Sequence, residues 1–177
     1  MSSDPPLPVD ASLRLPPGRL RVTWSELSST WGFNVHRLEL LAETQRFVST
    51  LASVLPVCAV WIGGSYLTDK GNPGDLDMNV VLNTEDIHTD VQRQLATVPA
   101  LQQLARTLGV RVDAYLLNWH PRVSNRTGED DRAELTGRGY WDDWWMRERQ
   151  VSKSEAATRE CALPRRGYVE VIVNGYR

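Results

Sequence analysis

The sequence predicts an α/β (α+β) fold built around one sheet, and three observations carry that reading. Short apolar runs suited to strands alternate along the chain with segments of helical periodicity. Glycine and proline stand at the joints between them. The chain has 177 residues, the size of one domain, and enough to bury a core without disulfides or metals as staples.

Residues 1–17 carry Pro5, Pro6, Pro8, Pro16 and Pro17 and read as an irregular arm. Residues 18–177 read as a single domain. Thr23 and Glu26 have capping-box spacing, which predicts a short helix from Trp24 to about Thr30. Asn34 is placed to cap a second helix, Val35 to about Val54, whose apolar face includes Leu38, Leu41, Ala42, Val48 and Leu51. Pro56 stops it. Val57–Ile62 is a continuous apolar run and predicts a buried strand. Gly63, Gly64 and Ser65 break that strand, and Asp69–Gly74 reads as a loop. Asp75–Leu82 predicts a second strand. Thr84 is placed to cap a helix from Glu85 to about Thr97, and Pro99 opens another that ends at Leu108 before Gly109. Val110–Leu117 predicts a third strand. His120–Gly139, with the acidic run Glu129, Asp130, Asp131, reads as a solvated loop. Tyr140–Arg149 predicts an aromatic helix and Gly167–Val173 a closing strand.

Hydrophobic residues at 41% and charged residues at 24% exclude a disordered chain, a collagen and a coiled coil. No stretch approaches the ~20 apolar residues that span a bilayer. The first residues lack the basic and apolar regions of a signal peptide. The expectation is a cytoplasmic protein with no membrane partner. A formal charge of −2 argues against a nucleic-acid coat protein, but leaves room for a local RNA-binding patch. Cys58 and Cys161 read as free thiols of a reducing compartment.

Three features suggest chemistry. Gly63-Gly64-Ser65 follows a buried strand. Without side chains, the two glycines let a phosphate approach the backbone, and Ser65 adds a hydroxyl; taken alone, a plain tight turn is the better account of them. Asp75 and Asp77 stand at i and i+2 of a predicted strand, so both carboxylates project from one face. Such a pair repels unless a cation lies between, and magnesium suits two carboxylates plus substrate phosphates. Asp113 interrupts an apolar strand, where a charge needs a metal or a partner such as Arg111.

Together these residues, W-I-G-G-S-Y-L-T-D-K-G-N-P-G-D-L-D-M-N-V and V-D-A-Y, resemble the polymerase-beta type of nucleotidyltransferase. A group of small bacterial members sharing G-G-S-x-x-T-x-K-x-x-P-x-D-[IL]-D is more similar still, over most of the chain from Leu15. The resemblance implies the nucleotidyltransferase fold, a mixed central sheet flanked by helices, over residues 18–177. It implies Mg-dependent transfer of a nucleoside monophosphate from an NTP to a hydroxyl on RNA, protein or a small molecule. Asp75, Asp77 and Asp113 would be the catalytic residues and the ligands of two Mg²⁺ ions, with Mn²⁺ an alternative. Gly63, Gly64, Ser65 and Lys70 would bind the nucleotide; Lys70 is otherwise a solvated loop lysine. Small relatives in the superfamily include toxin–antitoxin components. The competing expectation is a non-catalytic nucleotide- or partner-binding member of the fold. This chain departs from the superfamily in having Tyr66 and Leu67 where small members often place arginines.

Trp141, Trp144 and Trp145 have the spacing of one helix face. They either dock on the sheet or form a stacking platform for a base, with Arg147, Arg149, Arg165 and Arg166 as a phosphate-binding rim.

Overall fold

The computed structural model describes residues 7–120, 129–148, 155–156 and 158–176. In chain order they form β1 (Gly18–Arg21), α1 (Trp24–Trp31), α2 (Val35–Ala52), β2 (Val57–Ile62), β3 (Leu76–Asn83), α3 (Asp90–Leu95), α4 (Val98–Leu108), β4 (Val112–Trp119), α5 (Glu129–Met146) and β5 (Gly167–Ile172). The strands make one five-stranded mixed sheet in the order β1-β5-β2-β3-β4. The outer pairs, β1–β5 and β3–β4, are parallel. The inner pairs, β5–β2 and β2–β3, are antiparallel. The α+β class with a mixed sheet is therefore as expected.

Local chemistry sets the helix starts. Thr23 closes a full capping box with Glu26, and the backbone N–H of Thr23 holds the Glu26 carboxyl below its usual pKa. Asn34 accepts from the Arg37 N–H. Thr97 caps α4, which carries proline in its first turn and ends on left-handed Gly109.

Several boundaries differ from expectation. The helix expected over Glu85–Thr97 is a 3-10 turn at Thr84–Asp86, capped by Asn83, followed by α3, which Thr89 caps in a box with Gln92. Thr84 instead uses its hydroxyl on the Trp119 carbonyl and the His120 ring. Of the loop expected over His120–Gly139, residues 121–128 lie outside the described residues and Glu129–Gly139 belong to α5, so the acidic run sits in its first turn. Leu38 and Ala42 are exposed on α2, and the buried face runs instead through Arg37, Leu40, Leu41, Thr44, Phe47, Val48 and Leu51. β1 was not expected at all.

The arm, as far as residues 7–17 describe it, is tied down. Gly167 N–H donates to the Leu15 carbonyl at 2.8 Å, Asp69 N–H to Ser12 at 2.9 Å, and the Trp31 indole to Leu13 at 2.8 Å. Leu15 is buried in the core. The first six residues lie outside the described set.

The register places side chains in rows across the sheet. One face carries Met78, Val80 and Leu82 of β3, Val60 and Ile62 of β2, and Ala114 of β4, all 0% exposed. They join one core with Leu40 and Phe47 of α2 and Leu101 of α4. On the other face a first row runs Arg19, Tyr168, Gly63, Asp77, Asp113, and the next runs Arg21, Glu170, Trp61, Asn79, Tyr115. α5 packs over this second face.

Candidate active site

The site lies where β2 ends. Gly63 continues the ladder, its N–H donating to the Asp77 carbonyl at 3.1 Å. The chain then turns through a 3-10 segment, Gly64–Leu67. Each glycine is required by what lies against it. A Cβ on Gly63 would stand 2.3 Å from the Trp145 ring. Gly64 has φ +70°, and a Cβ there would stand 1.8 Å from Asp77 Oδ2. The glycines thus let an indole and a carboxylate close on the turn.

Asp77 and Asp113 are direct register partners on parallel strands, so their carboxylates leave the same face side by side. Arg111 does not neutralise Asp113; it is committed to Glu43 at 2.6 Å, and this pairing depresses the Glu43 pKa and raises that of Arg111. The partner of Asp113 is the Tyr115 hydroxyl, which donates to Oδ2 at 3.0 Å. Burial, followed by this carboxylate, pushes Tyr115 up to about 12, so it stays a proton donor.

Asp75 corrects the expectation of a strand carrying both carboxylates. β3 begins at Leu76, and Asp75 precedes it, exposed, after Gly74. Among the described residues no three His, Cys, Asp or Glu side chains are gathered so as to hold a metal ion. The structure therefore unites a pair, Asp77 and Asp113, and leaves Asp75 on the adjoining loop. Ser65 is half-buried in the turn, its carbonyl accepting from Thr68 Oγ1 at 2.8 Å. Lys70 is exposed. Its carbonyl, with those of Trp31 and Tyr66, is held by the buried Arg37 guanidinium, whose pKa is lowered by burial.

Three residues of the site were not singled out from the sequence in the roles they take. Asn79 follows Asp77 by one row; its Oδ1 accepts from the Trp145 indole at 2.6 Å, while its buried Nδ2 has no partner among the described residues. Trp145 roofs the turn. Arg166, expected on an outer rim, is drawn inward to donate to the Gly64 carbonyl at 3.0 Å. Burial lowers its pKa, and the charges of Glu148 and Asp77 oppose that shift. Its Nε is buried without a partner among the described residues. Arg165 instead reaches Glu160, and Arg149 lies outside the described residues.

The aromatic helix divides its tryptophans. Trp145 is buried, and Trp141 lies 4.8 Å from the Tyr115 ring. Trp144 turns outward, 51% exposed, and stacks on Tyr140. Three on one face was therefore wrong by one residue: a helix advances about 100° per residue, so neighbours 144 and 145 cannot share a narrow stripe.

Fold and site together define an α+β protein with a mixed sheet and two carboxylates beside a glycine turn. The chain belongs to the family of unknown function DUF6932, whose sequence profile matches residues 7–172. No curated protein and no solved structure matches it. Among the described residues no helix is long and apolar enough to cross a membrane.

Proposed function

We propose that the protein is a nucleotidyltransferase of the polymerase-beta type, moving a nucleoside monophosphate from an NTP to a hydroxyl acceptor. The observation that carries this reading is the register pairing of Asp77 with Asp113 beside the Gly63–Ser65 turn. The strand order supports it: the glycine turn, the Asp77 strand and the Asp113 strand are neighbours in the sheet.

Asp77 and Asp113 offer only oxygen, on adjacent strands, which suits one hard divalent ion. A second ion requires Asp75 to be brought in from its loop. When bound, the metal supplies Lewis acidity at the transferred phosphoryl group. The chain's own residues do the rest. Asn79 Nδ2 and Arg166 Nε are buried donors without acceptors among the described residues, and phosphate oxygens would satisfy them. Arg166 fixes the Gly64 carbonyl and so the turn. It also supplies, from the far end of the chain, a cation where Tyr66 and Leu67 supply none. Asp113, oriented by Tyr115, receives the proton of the acceptor hydroxyl. The acceptor oxygen bonds to the α-phosphorus, the bond to the bridging oxygen breaks, and pyrophosphate leaves.

The test is incubation with each labelled NTP, magnesium, and RNA and protein fractions of a cell extract. The wild type labels one fraction, and Asp77→Asn and Asp113→Asn label none. Labelled RNA or labelled protein identifies the acceptor, and either would suit a toxin–antitoxin or defence role. If the wild type labels nothing and does not bind Mg-NTP, the second reading takes its place: a non-catalytic partner-binding module. Arg166 favours that reading, because its guanidinium already supplies positive charge beside Asp77.

A further inference from the structure

A second hollow, of about 190 Å³, opens on the same sheet face. It is bounded by the strands on one side and Arg138 of α5 on the other. Val81 and Leu117, which line it, stand two rows beyond Asp77 and Asp113, roughly 13 Å by strand rise. Arg19, which also lines it, shares the row of Asp77 but stands three strands away, so the hollow holds neither carboxylate.

Its lining brings together three guanidiniums, Arg19, Arg21 and Arg138, and three aromatic side chains, Trp61, Trp119 and Tyr176. The single carboxylate among the lining residues is Glu170, 6% exposed and already engaged. Its Oε1 accepts from the Trp61 indole at 3.0 Å and the Tyr176 hydroxyl at 2.6 Å, and its Oε2 from Arg21 at 3.4 Å. Arg19 lies 4.2 Å over the Trp61 ring and only 4.0 Å from Glu170. That stacking holds its fork in place while its N–H groups donate to no described residue. Arg138 pairs at 3.7 Å with the largely buried Glu134, which lines a different hollow. Three guanidiniums thus stand against two carboxylates, Glu170 and Glu134, which leaves one positive charge for an anion to meet.

We propose that this hollow binds a phosphate group carried on an aromatic ring, that is, one nucleotide unit. The guanidiniums take the phosphate, and Trp119 and Tyr176 take the ring, since Trp61 is 1% exposed and already covered by Arg19. Its volume is below the ~300–1,000 Å³ of pockets for drug-sized ligands, so it encloses only part of one unit and leaves the rest in solvent. The unit comes either as a free mononucleotide or as part of a single strand, and the two have the same chemistry at the site. The inference does not rest on the transfer reaction proposed above.

The experiment is calorimetric titration, in EDTA, of the full chain with inorganic phosphate, adenosine 5′-monophosphate and a short oligouridylate. Saturable binding of the mononucleotide, tighter than phosphate alone, is expected. Arg19→Gln should weaken it by about tenfold or more, as loss of a charge-assisted hydrogen bond would. Arg21→Gln tests the same point at a side chain 68% exposed, where folding is not at risk. Asp77→Asn should leave it unchanged, which separates this site from the carboxylate pair. Oligouridylate binding tighter than the mononucleotide, with a log–log salt slope of about −0.7 per phosphate, identifies a strand; no gain identifies the free nucleotide. Absence of saturable binding by all three probes overturns the proposal, as does binding that survives both arginine substitutions.

Discussion

The two faces of the sheet are made by the same strands, held by the same backbone hydrogen bonds, and hold opposite contents. On β3, Met78, Val80 and Leu82 are sealed against α2 and α4, while the alternate residues Asp77 and Asn79 face α5 and the glycine turn. Parity alone separates them. The difference teaches that stability and chemistry can be assigned to odd and even residues of one strand. The apolar rows hold the strands in place, and that rigidity lets the polar row hold two like charges side by side.

The largest expected effect breaks the apolar side. Met78→Ala should lower the unfolding free energy by about 2–5 kcal/mol in urea titration. The loss should be the same with or without Mg-NTP. A loss below about 1 kcal/mol would mean that this face does not carry the fold.

Gly64→Ala should cost less, about 1–3 kcal/mol, for a positive φ and an intruding methyl group. Its methyl meets the Asp77 carboxylate, so any thermal shift given by Mg-NTP should disappear with it. Survival of that shift would show that the turn and Asp77 are not one unit.

A contact outside both polar rows gives the reference. Glu43 is held below its usual pKa by Arg111, so its contribution is present above the ordinary glutamate pKa, about 4.3, and is lost as pH falls through the folded value. Glu43→Gln should lower stability at neutral pH by about 0.5–1 kcal/mol, a modest figure because both partners are partly exposed. The wild-type and variant melting curves should converge as the pH is taken below about 4. A constant gap across the titration would remove the ion pair as its cause.

The smallest effect on stability belongs to Asp77→Asn. In EDTA it relieves repulsion from Asp113 and forfeits attraction to Arg166, so a net change under about 1 kcal/mol is expected. In Mg-NTP the two proteins should separate. The wild type gains about 2.7 kcal/mol at a hundredfold excess over Kd, and the variant does not. An equal gain in both would remove Asp77 from the ligand set.

What could be read from the sequence was what local chemistry decides. The Thr23 and Asn34 starts, the proline in the first turn of α4, the apolar β2 run and the Gly109 stop each depend on residues within one turn. Asp77 and Asp113 were brought to one site only by the family resemblance; that they are register partners on parallel strands is a long-range fact that strand periodicity does not fix. What escaped depends on distance. Arg166 reaches Gly64 across 102 residues, and no local pattern marks it. β1 is four residues long and looks like a continuation of the proline arm until β5 is present to pair with it. Glu129–Gly139 read as loop because polar composition does not distinguish a solvated loop from a helix with exposed residues such as Arg132 and Thr136. Asp75 was misplaced by one residue, the usual uncertainty of a strand end after glycine.

The pairing of β1 with β5 also bears on the order in which the chain becomes competent. Arg21 and Glu170 are partners 149 positions apart. Closing so long a loop is among the slowest events available to a folding domain, and during synthesis it cannot begin until the last segment has left the ribosome. The same segment brings Arg166 to the glycine turn. A nascent chain stalled or clipped short of β5 could form the Asp77–Asp113 ladder, but it would lack both the edge strand and the cation that hold the turn. Whatever the mature protein binds there, its unfinished precursor is barred from binding in the same way.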